Sequence, residues 1–482
     1  MKSMTRTADQ SGAAPSPDQT AALCRPSEAG DPCFLTATEL AESFRRGTLS
    51  PVEVAGRILD RIDAVNPRLK AYYEIDRNGA LEAARAAEAR WRDGRPLSAL
   101  DGVPVSIKDH LQVRGLTSPR GAAGQTTPAS FDCPPAARLR AAGAVILGKT
   151  TMPELSVVPV TETAAFGITR NPWRLDRSPG GSSGGAAAAV AAGLGPLAIG
   201  TDGGGSIRLP AGFTNLVGHK PTLGRVPYFP GQTDRTVAGP IVRSAADAAL
   251  LMNVIARPDG RDWQELPPDD TDYVAALAGG IRGLRVAASA TFGFERVDPE
   301  VKRAFEHGLA RLEALGAHVE PVEAVGFDVF DIYMIQATLR LRETRLAMQP
   351  DALARLPGAV RSVLDFAARL GPQDPQRMVD RRNELGAALL GIFAKHDVIV
   401  SPTSPMPAPP IGKFYPEADL LGEDSRNLIG FTAPFNMVHM PAVSVPCGFT
   451  ADGLPLGLQV AGPKFSDARL LRVAHALETA GS

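Results

Sequence analysis

Two clusters of serine and glycine carry the residue types that acyl-transfer chemistry requires. The first runs from Gly180 to Gly185 as Gly-Gly-Ser-Ser-Gly-Gly, and the second runs from Thr201 to Arg208 as Thr-Asp-Gly-Gly-Gly-Ser-Ile-Arg. In the second cluster, three successive glycines let backbone N–H groups converge beside the hydroxyl of Ser206, in outline an oxyanion hole. For an isolated motif of this kind, a tight turn whose serine only caps the following helix is the alternative interpretation.

A serine nucleophile needs a neighbouring base, and the sequence offers histidine and lysine candidates. His110 and His219 lie near the two clusters in the sequence, but neither stands in a recognisable catalytic-triad setting, and a surface or core role explains each. Lys108 closes a predicted strand at residues 103–107, and active-site groups gather at strand ends. An ammonium group cannot accept a proton, so this base requires burial that lowers the lysine pKa. A solvent-facing lysine in an ion pair with Asp109 is the alternative.

The predicted elements around these residues alternate between strand and helix. Apolar runs predict strands at residues 144–147, 197–199, 282–288, 397–400, 441–446 and 456–460, and helical patterns occur at 136–142, 186–192 and 299–315. Capping patterns at Thr36 and Ser50 predict two helices ahead of this region, and a third is predicted over residues 78–92. The alternation indicates an α/β fold whose strand ends position the candidate site.

Taken together, Ser-Ile-Lys-Asp at 106–109 and the two serine-glycine clusters resemble the amidase signature family. Further segments carry the same resemblance, namely 148–154, 171–173, 218–222 and 239–243. The resemblance covers about Thr36 to the C-terminus. It implies one large α/β domain at residues 35–482, with a mixed central β-sheet flanked by helices on both faces, a core at about 100–260 and 395–480, and a variable, substrate-shaping segment at about 328–395. Residues 1–34, rich in small and polar residues, are expected to form a disordered tail.

The resemblance implies a Ser-cisSer-Lys catalytic unit, with Ser206 as nucleophile, Ser182 as relay and Lys108 as base. It also implies a cis peptide bond between Gly181 and Ser182. In this scheme Ser206 attacks the amide carbonyl, the amine leaves, and water hydrolyses the resulting acyl-enzyme. By the same resemblance, Ser156 lines the acyl pocket, and the oxyanion hole is made of the amides of Gly203, Gly204, Gly205 and Ser206.

Three further residues are expected to support this unit without taking part in the chemistry. Asp202 and Arg208 flank the predicted nucleophile and are expected to pair, which would hold the glycine loop rigid, and Ser183 follows the relay serine. The chain departs from many relatives at Gly203, where they carry a side chain, and at His110, after the Lys-Asp pair. Neither departure removes a catalytic group, but both alter the pocket, so the substrate is less predictable than the mechanism.

The expected reaction is hydrolysis of carbon–nitrogen bonds in linear amides, with a small-molecule amide or carbamate as substrate. Lipophilic or aryl amides are expected, because aromatic and apolar side chains fall in segments that shape the pocket: Phe131, Phe166, Phe330, Tyr333 and Met334. Core packing is the alternative role for each of them. Carbamates (urethanes) and esters also fit, since the same acyl-enzyme route handles them.

Three other classes of protein match parts of the pattern. A protein resembling the A subunit of glutamyl-tRNA amidotransferase would use the same serines on glutamine and pass ammonia to a partner. Residues 180–184 also match the Gly-x-Ser-x-Gly elbow of serine/histidine esterases, although the polar residues 174–179 do not supply the strand that must precede it. Residues 143–150 match the P-loop pattern letter by letter, but 144–147 predict an apolar strand rather than a polar phosphate-binding turn.

Bulk composition narrows the partners and the compartment. The 51 Lys and Arg residues nearly balance the 52 Asp and Glu residues, so no global field favours nucleic acid or an anionic membrane. The four cysteines form no Cys-x-x-Cys pair, which favours the reducing cytoplasm, and no ligand cluster has zinc spacing. No run of about 18 apolar residues predicts a membrane span. We therefore expect a cytoplasmic monomer or homodimer that needs no metal or organic cofactor.

Overall fold

The computed structural model describes residues 22–26, 28–122, 124, 127–231, 234–293, 296–323, 325, 327–417 and 419–480. Most of the predicted tail, namely 1–21 and residue 27, lies outside the described residues, and the prediction made for it stays a prediction. Some of the described residues of the predicted tail are packed: Ala22–Cys24 forms a 3₁₀ turn, and the side chains of Leu23 and Cys33 are buried in the main apolar core. Packing therefore begins before residue 35, because these apolar side chains join that core.

Among the described residues, three α-helices and one strand precede the central region, in agreement with the capping motifs. They are α1 (Ala37–Arg46), α2 (Pro51–Leu69), β1 (Tyr72–Ile75) and α3 (Arg77–Arg92). The Thr36 hydroxyl accepts a hydrogen bond from the Glu39 amide, and the Glu39 carboxylate accepts one from the Thr36 amide, so the capping box is complete. Ser50 caps α2, and Pro51 stands at its first position. Both helices bury an apolar face.

Eleven strands of the described residues form one mixed sheet. Besides β1 they are β2 (Pro104–Lys108), β3 (Val145–Thr150), β6 (Leu197–Asp202), β7 (Val217–Lys220), β8 (Val237–Val242), β9 (Arg285–Ala288), β10 (His318–Pro321), β11 (Val398–Pro402), β12 (Ala442–Phe449) and β13 (Pro455–Ala461), while β4 (Glu162–Thr163) and β5 (Gly167–Ile168) form a separate hairpin. The order is β1-β3-β2-β6-β8-β7-β12-β13-β11-β9-β10. β2 lies parallel to both β3 and β6, whereas β8 pairs antiparallel with β6.

Helices cover this sheet. In chain order they begin with α4 (Pro134–Ala141), α5 (Gly184–Ala191), α6 (Arg208–Phe213), α7 (Ala245–Ile255) and α8 (Pro299–Ala314). Every residue of β2, β3, β6 and β8 is buried, so both faces of the sheet are covered in its central part. The expected α/β fold, one large domain with a mixed central sheet flanked by helices, is confirmed.

The P-loop pattern at residues 143–150 does not form a phosphate-binding turn. Most of it is β3, and the whole strand is buried. Lys149, the residue that would bind phosphate in this pattern, instead donates to the Asp109 carbonyl oxygen (3.1 Å) and to Ser118 Oγ (2.8 Å) inside the core. The residues of the P-loop pattern therefore form the apolar strand expected from the sequence.

Five helices lie between β10 and β11 and form what we call the cap segment, residues 330–393. They are α9 (Phe330–Thr338), α10 (Leu341–Ala347), α11 (Pro350–Ala354), α12 (Gly358–Arg369) and α13 (Asp374–Phe393). The cap segment falls within the stretch predicted to shape the substrate pocket. The helices that follow β11 are α14 (Glu423–Gly430), α15 (Ala433–Met437) and α16 (Asp467–Thr479). None of the described helices has the length and apolar character that crossing a membrane requires.

Candidate active site

Lys108 is the last residue of β2, and its side chain is fully buried. Its Nζ lies 2.8 Å from Ser182 Oγ, 2.9 Å from Ser183 Oγ and 2.8 Å from Thr201 Oγ1. β6, which ends at Asp202, is a parallel neighbour of β2, so both strands bring their C-terminal residues to the same edge of the sheet. The amine is therefore enclosed by three hydroxyl groups within hydrogen-bonding distance.

The environment of this amine favours its neutral form. Burial lowers the pKa of Lys108 to about 7, although the negative charges of Asp202 and Asp109 oppose that shift. At neutral pH a substantial share of the amine is therefore unprotonated and able to accept a proton. This meets the condition that a lysine base must satisfy, and it replaces the solvent-facing ion pair that is the alternative for Lys108.

The first serine-glycine cluster leads into α5 and places Ser182 against this amine. The Gly181–Ser182 peptide bond is cis, as the resemblance implies. Gly181 packs so closely on the backbone of Val160 that a Cβ atom there would lie 2.7 Å from the Val160 carbonyl group. Ser183 Oγ donates to the Thr201 carbonyl oxygen (3.1 Å) and accepts a hydrogen bond from Thr201 N (3.2 Å), so it fastens the cluster to β6.

Asp202, at the end of β6, organises the glycine loop that follows it. Its carboxylate accepts hydrogen bonds from Gly205 N (2.7 Å) and Ile207 N (3.1 Å). It also accepts two from Arg208, each at 2.9 Å, and both side chains are fully buried. Burial alone would raise the pKa of Asp202, but the Arg208 guanidinium lowers it well below its usual value. The ion pair expected from the sequence is present, and it holds both ends of the loop.

Arg208 connects this loop to a distant part of the chain. Its Nη1 donates to Gln459 Oε1 (2.7 Å) and to the Thr432 carbonyl oxygen (2.9 Å), and its Nη2 donates to Asn436 Oδ1. Gln459 lies on β13, and Asn436 lies on α15. Every nitrogen of the guanidinium therefore has an acceptor, a condition that a buried ion pair must meet if its desolvation is to be offset.

Ser206 is partly exposed and lines a pocket that is open to solvent. Its carbonyl oxygen accepts a hydrogen bond from Ser183 N (3.3 Å), which brings the two serine-glycine clusters into contact. Ser182 Oγ contacts the lysine amine, but within the described residues Ser206 Oγ makes no hydrogen bond. The predicted link from Ser182 Oγ to Ser206 Oγ is therefore not formed here, although Ser206 and Gly181 line the same pocket.

Gly204 and Ser206 line the pocket, and their backbone amides have no acceptor among the described residues. They are therefore available to a substrate oxygen, as an oxyanion hole requires. Gly205 departs from the prediction, because its amide already donates to the Asp202 carboxylate and is not available to a substrate. Gly203 lies partly exposed at the start of the loop, and its carbonyl oxygen accepts a hydrogen bond from a guanidinium.

Apolar side chains make up most of the pocket wall. The lining residues include Val157, Phe330, Tyr333, Met334, Leu420 and Ile429. Three of these, on α9 of the cap segment, were expected from the sequence. Ser156 lines the pocket as well, in a backbone conformation with φ of 61° that few residues other than glycine adopt. None of the described lining residues carries a charge, so the pocket suits an uncharged ligand.

Two aromatic residues expected in the pocket lie elsewhere. The ring of Phe131 packs against Phe229, with ring centres 5.8 Å apart, and Phe166 packs against Tyr73, with ring centres 4.8 Å apart. Neither lines the pocket, so the expectation is wrong for both, and packing is their role instead. The physical reason is that each ring finds another aromatic ring to cover it.

Neither candidate histidine lines the pocket. His110 Nδ1 lies 3.1 Å from the Tyr228 hydroxyl, and burial lowers the pKa of His110 well below its usual value. His219 is buried in the core, with Nε2 3.2 Å from Asp467 Oδ1. A serine/histidine elbow at Ser182 therefore lacks its base in this structure, because the group in contact with that hydroxyl is a lysine amine.

Sequence reasoning missed three residues that contact the site. Thr201 Oγ1 lies 2.8 Å from the lysine Nζ, Thr432 Oγ1 donates to the Gly204 carbonyl oxygen (2.6 Å), and Asn436 Nδ2 donates to the Asp202 carbonyl oxygen (3.0 Å). Thr201 carried a signal, since it directly precedes Asp202 in the second cluster. The other two contacts join residues 228 and 234 positions apart, and no local pattern indicates them.

Comparison with known proteins identifies relatives of this chain in sequence and in fold. A model of the Amidase family matches residues 53–471 of the chain. The acylamidase of Rhodococcus erythropolis is 37% identical, over 92% of this chain and 95% of its own length. The A subunit of the glutamyl-tRNA(Gln) amidotransferase of Myxococcus xanthus is 38% identical, over 92% of this chain and 96% of its own length. The crystal structure of a bacterial aryl acylamidase belonging to the amidase signature enzymes superposes with a TM-score of 0.85 at 29% identity, covering 93% of this chain and 96% of that one.

Proposed function

The chain belongs to the amidase signature family and is a hydrolase of carbon–nitrogen bonds, and on that premise we propose that it hydrolyses linear carboxylic amides through an acyl-enzyme on Ser206. The observation that carries this proposal is the buried amine of Lys108, which lies 2.8 Å from Ser182 Oγ and has a pKa of about 7. In this proposal Ser206 is the nucleophile, Ser182 the proton relay and Lys108 the base.

In the first half-reaction, neutral Lys108 accepts a proton from Ser182 while Ser182 accepts one from Ser206. Rotation of Ser206 about χ1 brings its hydroxyl toward the relay, since a serine side chain has three staggered positions. The Ser206 oxygen then bonds to the carbonyl carbon, and the carbonyl π electrons move onto oxygen to form a tetrahedral oxyanion. The amides of Gly204 and Ser206 donate to that oxyanion, with Gly203 as a further candidate donor. As the carbon–nitrogen bond breaks, the leaving amine takes a proton from the lysine through the relay.

In the second half-reaction, water attacks the acyl-enzyme. The relay carries a proton from that water to Lys108. The second tetrahedral intermediate then collapses with breakage of its bond to Ser206 Oγ, and that oxygen takes the proton back from Lys108 through the relay as the carboxylic acid leaves. The enzyme therefore returns to its starting protonation state after each turnover. Asp202, Arg208 and Ser183 take no part in bond making, and their proposed role is to keep the glycine loop and the relay in place.

The proposed substrates are lipophilic or aryl amides, with carbamates (urethanes) and esters on the same route. An uncharged pocket lined largely by apolar side chains supports this choice. Apolar surface removed from water contributes about 25 cal/mol per Å², so such a pocket selects apolar acyl or amine groups. The relatives named acylamidase and aryl acylamidase support the same substrate class.

An amidotransferase component that takes ammonia from glutamine is the second candidate. It is favoured by the 38% identity to the A subunit of the Myxococcus xanthus enzyme. Free glutamine carries an ammonium and a carboxylate, and burying either charge without a partner is costly. The described lining residues of the pocket offer no charged partner. Uncharged amides are therefore the preferred substrates in our proposal.

The test is a turnover screen of the purified chain over aryl amides, primary amides, esters, carbamates and glutamine, with Ser206→Ala as the blank. We expect turnover of aryl amides, and we expect Ser206→Ala to lose at least about 10³-fold in kcat. Ser362→Ala is the matched control, because the Ser362 hydroxyl donates within α12 to the Ala359 carbonyl oxygen (2.9 Å) and its loss should leave kcat unchanged.

A fluorophosphonate label followed by peptide mass spectrometry identifies the nucleophile directly. An adduct on Ser206 is expected, whereas an adduct on Ser182 would support the esterase elbow. Light scattering on the same sample tests the expected monomer or homodimer. Activity restricted to glutamine, together with a stoichiometric partner in the purified material, would favour the amidotransferase candidate.

A further inference from the structure

The space beside Gly203 is occupied by a charged side chain. A Cβ atom built on Gly203 would lie 2.4 Å from Arg235 Nη1 and 2.7 Å from Thr236 Oγ1. Arg235 Nη1 also donates a hydrogen bond to the Gly203 carbonyl oxygen. The absence of a side chain on Gly203 therefore leaves room for a guanidinium at the start of the glycine loop.

Arg235 is held in this position by neighbours of the candidate site. The Asn436 side-chain amide donates both to the Arg235 carbonyl oxygen (3.3 Å) and to the Asp202 carbonyl oxygen (3.0 Å), so one buried side chain fixes both backbones. The guanidinium carbon of Arg235 lies 5.4 Å from the ring centre of Tyr333, which lines the substrate pocket. A cation over an aromatic ring is attracted to it, and this attraction favours the observed placement.

The contact acts on one specific peptide group. The Gly203 carbonyl and the Gly204 N–H belong to the same peptide unit, so a cation bonded to the oxygen withdraws electron density from the nitrogen. Hydrogen bonds in such chains strengthen one another by about 10–30% per bond, and charge-assisted bonds are about twice as strong as neutral ones. The Gly204 amide is thereby a stronger donor, and its gain is greatest when the oxygen that it faces becomes negative.

We propose that Arg235 is a positioning residue that strengthens the Gly204 amide as an oxyanion donor through the Gly203–Gly204 peptide. Gly203 is the residue that admits it. The inference rests on the proposed function, since it requires an oxyanion formed by attack of Ser206. It assigns to Arg235 an effect on the transition state and none on the binding of an uncharged substrate.

The experiment compares Arg235→Met with Arg340→Met, which removes an exposed arginine of the cap region whose Nη1 donates to the Gly231 carbonyl oxygen (3.4 Å). Arg235→Met is expected to lower kcat by about tenfold, a part of the effect of losing a whole oxyanion donor, and to change KM by less than about twofold. An aryl boronic acid, which forms a tetrahedral anion on the nucleophilic serine, is expected to bind Arg235→Met about tenfold more weakly. Arg340→Met is expected to match the wild type in all three measurements.

Gly203→Ala provides a second variant that reaches the same contact from the other side. Its added methyl group displaces the end of the Arg235 side chain, so the same tenfold loss of kcat and of boronic acid affinity is expected. Because both changes break one contact, the double variant is expected to be no more than about twofold slower than either single variant.

Three outcomes would overturn the inference. The first is an unchanged kcat in Arg235→Met. The second is a change in KM of Arg235→Met as large as its change in boronic acid affinity. The third is a double variant whose loss of kcat is the product of the two single losses. The Ser206→Ala blank separates the two proposals. If Ser206→Ala keeps its turnover, the proposed function fails; if it is inactive while Arg235→Met behaves as the wild type, only the inference about Arg235 fails.

Discussion

Two regions of the molecule, the sheet edge at the candidate site and the cap segment, each contain an Arg–Asp ion pair. The pair at the sheet edge is buried, and the pair in the cap segment is partly exposed. At the sheet edge, Arg208 and Asp202 are both 0% exposed. In the cap segment, Arg345 and Asp365 pair at 2.8 Å with side chains 24% and 43% exposed. Exposed pairs contribute about 0.2–1 kcal/mol, whereas removing one partner of a buried pair costs about 3–5 kcal/mol. The two pairs have the same chemical groups, but only the buried one is expected to contribute strongly to stability.

This contrast separates the residues proposed for the chemistry from the residues that line the substrate pocket. The groups proposed to do the chemistry are fixed by buried polar contacts, and those contacts begin at the ends of two parallel strands. The cap segment contributes uncharged side chains to the pocket. Substitutions at the sheet edge are therefore expected to change rate or stability strongly, and substitutions in the cap segment are expected to change substrate preference.

The largest effect is expected at the buried amine. Lys108→Met is expected to lower kcat by about 10³-fold, because it removes the proposed proton acceptor. It is also expected to raise the melting temperature, because an amine that is partly charged at pH 7 gives way to an apolar side chain in a fully buried site. Steady-state kinetics and thermal unfolding of the same preparation measure both quantities.

Lys149→Met is the matched control for this prediction. Burial lowers the pKa of Lys149 to about 8, but this amine donates to the Asp109 carbonyl oxygen and to Ser118 Oγ, away from the pocket. Because neither of these bonds reaches the pocket, their loss is expected to leave kcat within about threefold. Equal loss of kcat in the two variants would contradict a special role for the amine at the sheet edge.

The second largest effect is expected from Asp202→Asn, which leaves a buried guanidinium without its counter-charge. The free energy of unfolding is expected to fall by about 3–5 kcal/mol, as measured by urea denaturation. Asp365→Asn makes the same chemical change in the cap segment, where we expect a loss below about 1 kcal/mol. Similar losses in both variants would remove the distinction between the two regions.

The pH dependence of catalysis is expected to give an effect of about tenfold per pH unit. The folded-state pKa of Lys108 is about 7, so below pH 7 the amine is mostly protonated and kcat/KM falls, whereas above pH 7 it levels off. The ordinary pKa of this amine is 10.5, so unfolding takes up a proton between about pH 7 and that value, and this residue makes the fold more stable as pH rises across the window. A flat profile of kcat/KM from pH 5.5 to 8.5 would exclude the lysine as base.

The smallest effect is expected in the cap segment. Met334→Ala removes apolar surface from the pocket wall, and a loss of about 1 kcal/mol in binding is expected to raise KM for a bulky aryl amide about fivefold. We expect kcat to change by less than about twofold, because no contact of the amine or the glycine loop is lost. Leu346→Ala, an exposed position of the same segment, is expected to change neither quantity. A fall in kcat as large as that of a sheet-edge variant would break the comparison.

The sequence predicts the sheet edge better than the cap segment. The strand that ends at Lys108, the glycine loop after Asp202 and the pairing of Asp202 with Arg208 all follow from short-range patterns. In contrast, Arg235 reaches Gly203 across 32 positions, and composition alone does not indicate that contact. Local spacing encodes local geometry, whereas long-range partners depend on how strands far apart in the sequence come to lie together.

The pocket shows the same limit. Phe330, Tyr333 and Met334 lie at helical spacing on one helix, so one face of that helix brings all three to the pocket. Phe131 lies in a loop, and its orientation depends on Phe229, a residue almost one hundred positions later. The orientation of a side chain in a loop depends on the residues that it packs against. Those residues come together only when the chain has folded.

The acceptors that surround the Arg208 guanidinium emerge late in biosynthesis. A ribosome that has released the first half of this chain has already presented all three residues of the proposed catalytic unit, yet Thr432, Asn436 and Gln459 are still untranslated. The nascent chain therefore lacks the contacts that fix the glycine loop, and it gains them only when α15 and β13 dock. Pairing across such separations slows folding, since loop closure precedes any gain. We therefore expect hydrolytic activity to appear in the cell only after the C-terminal strands have been synthesised.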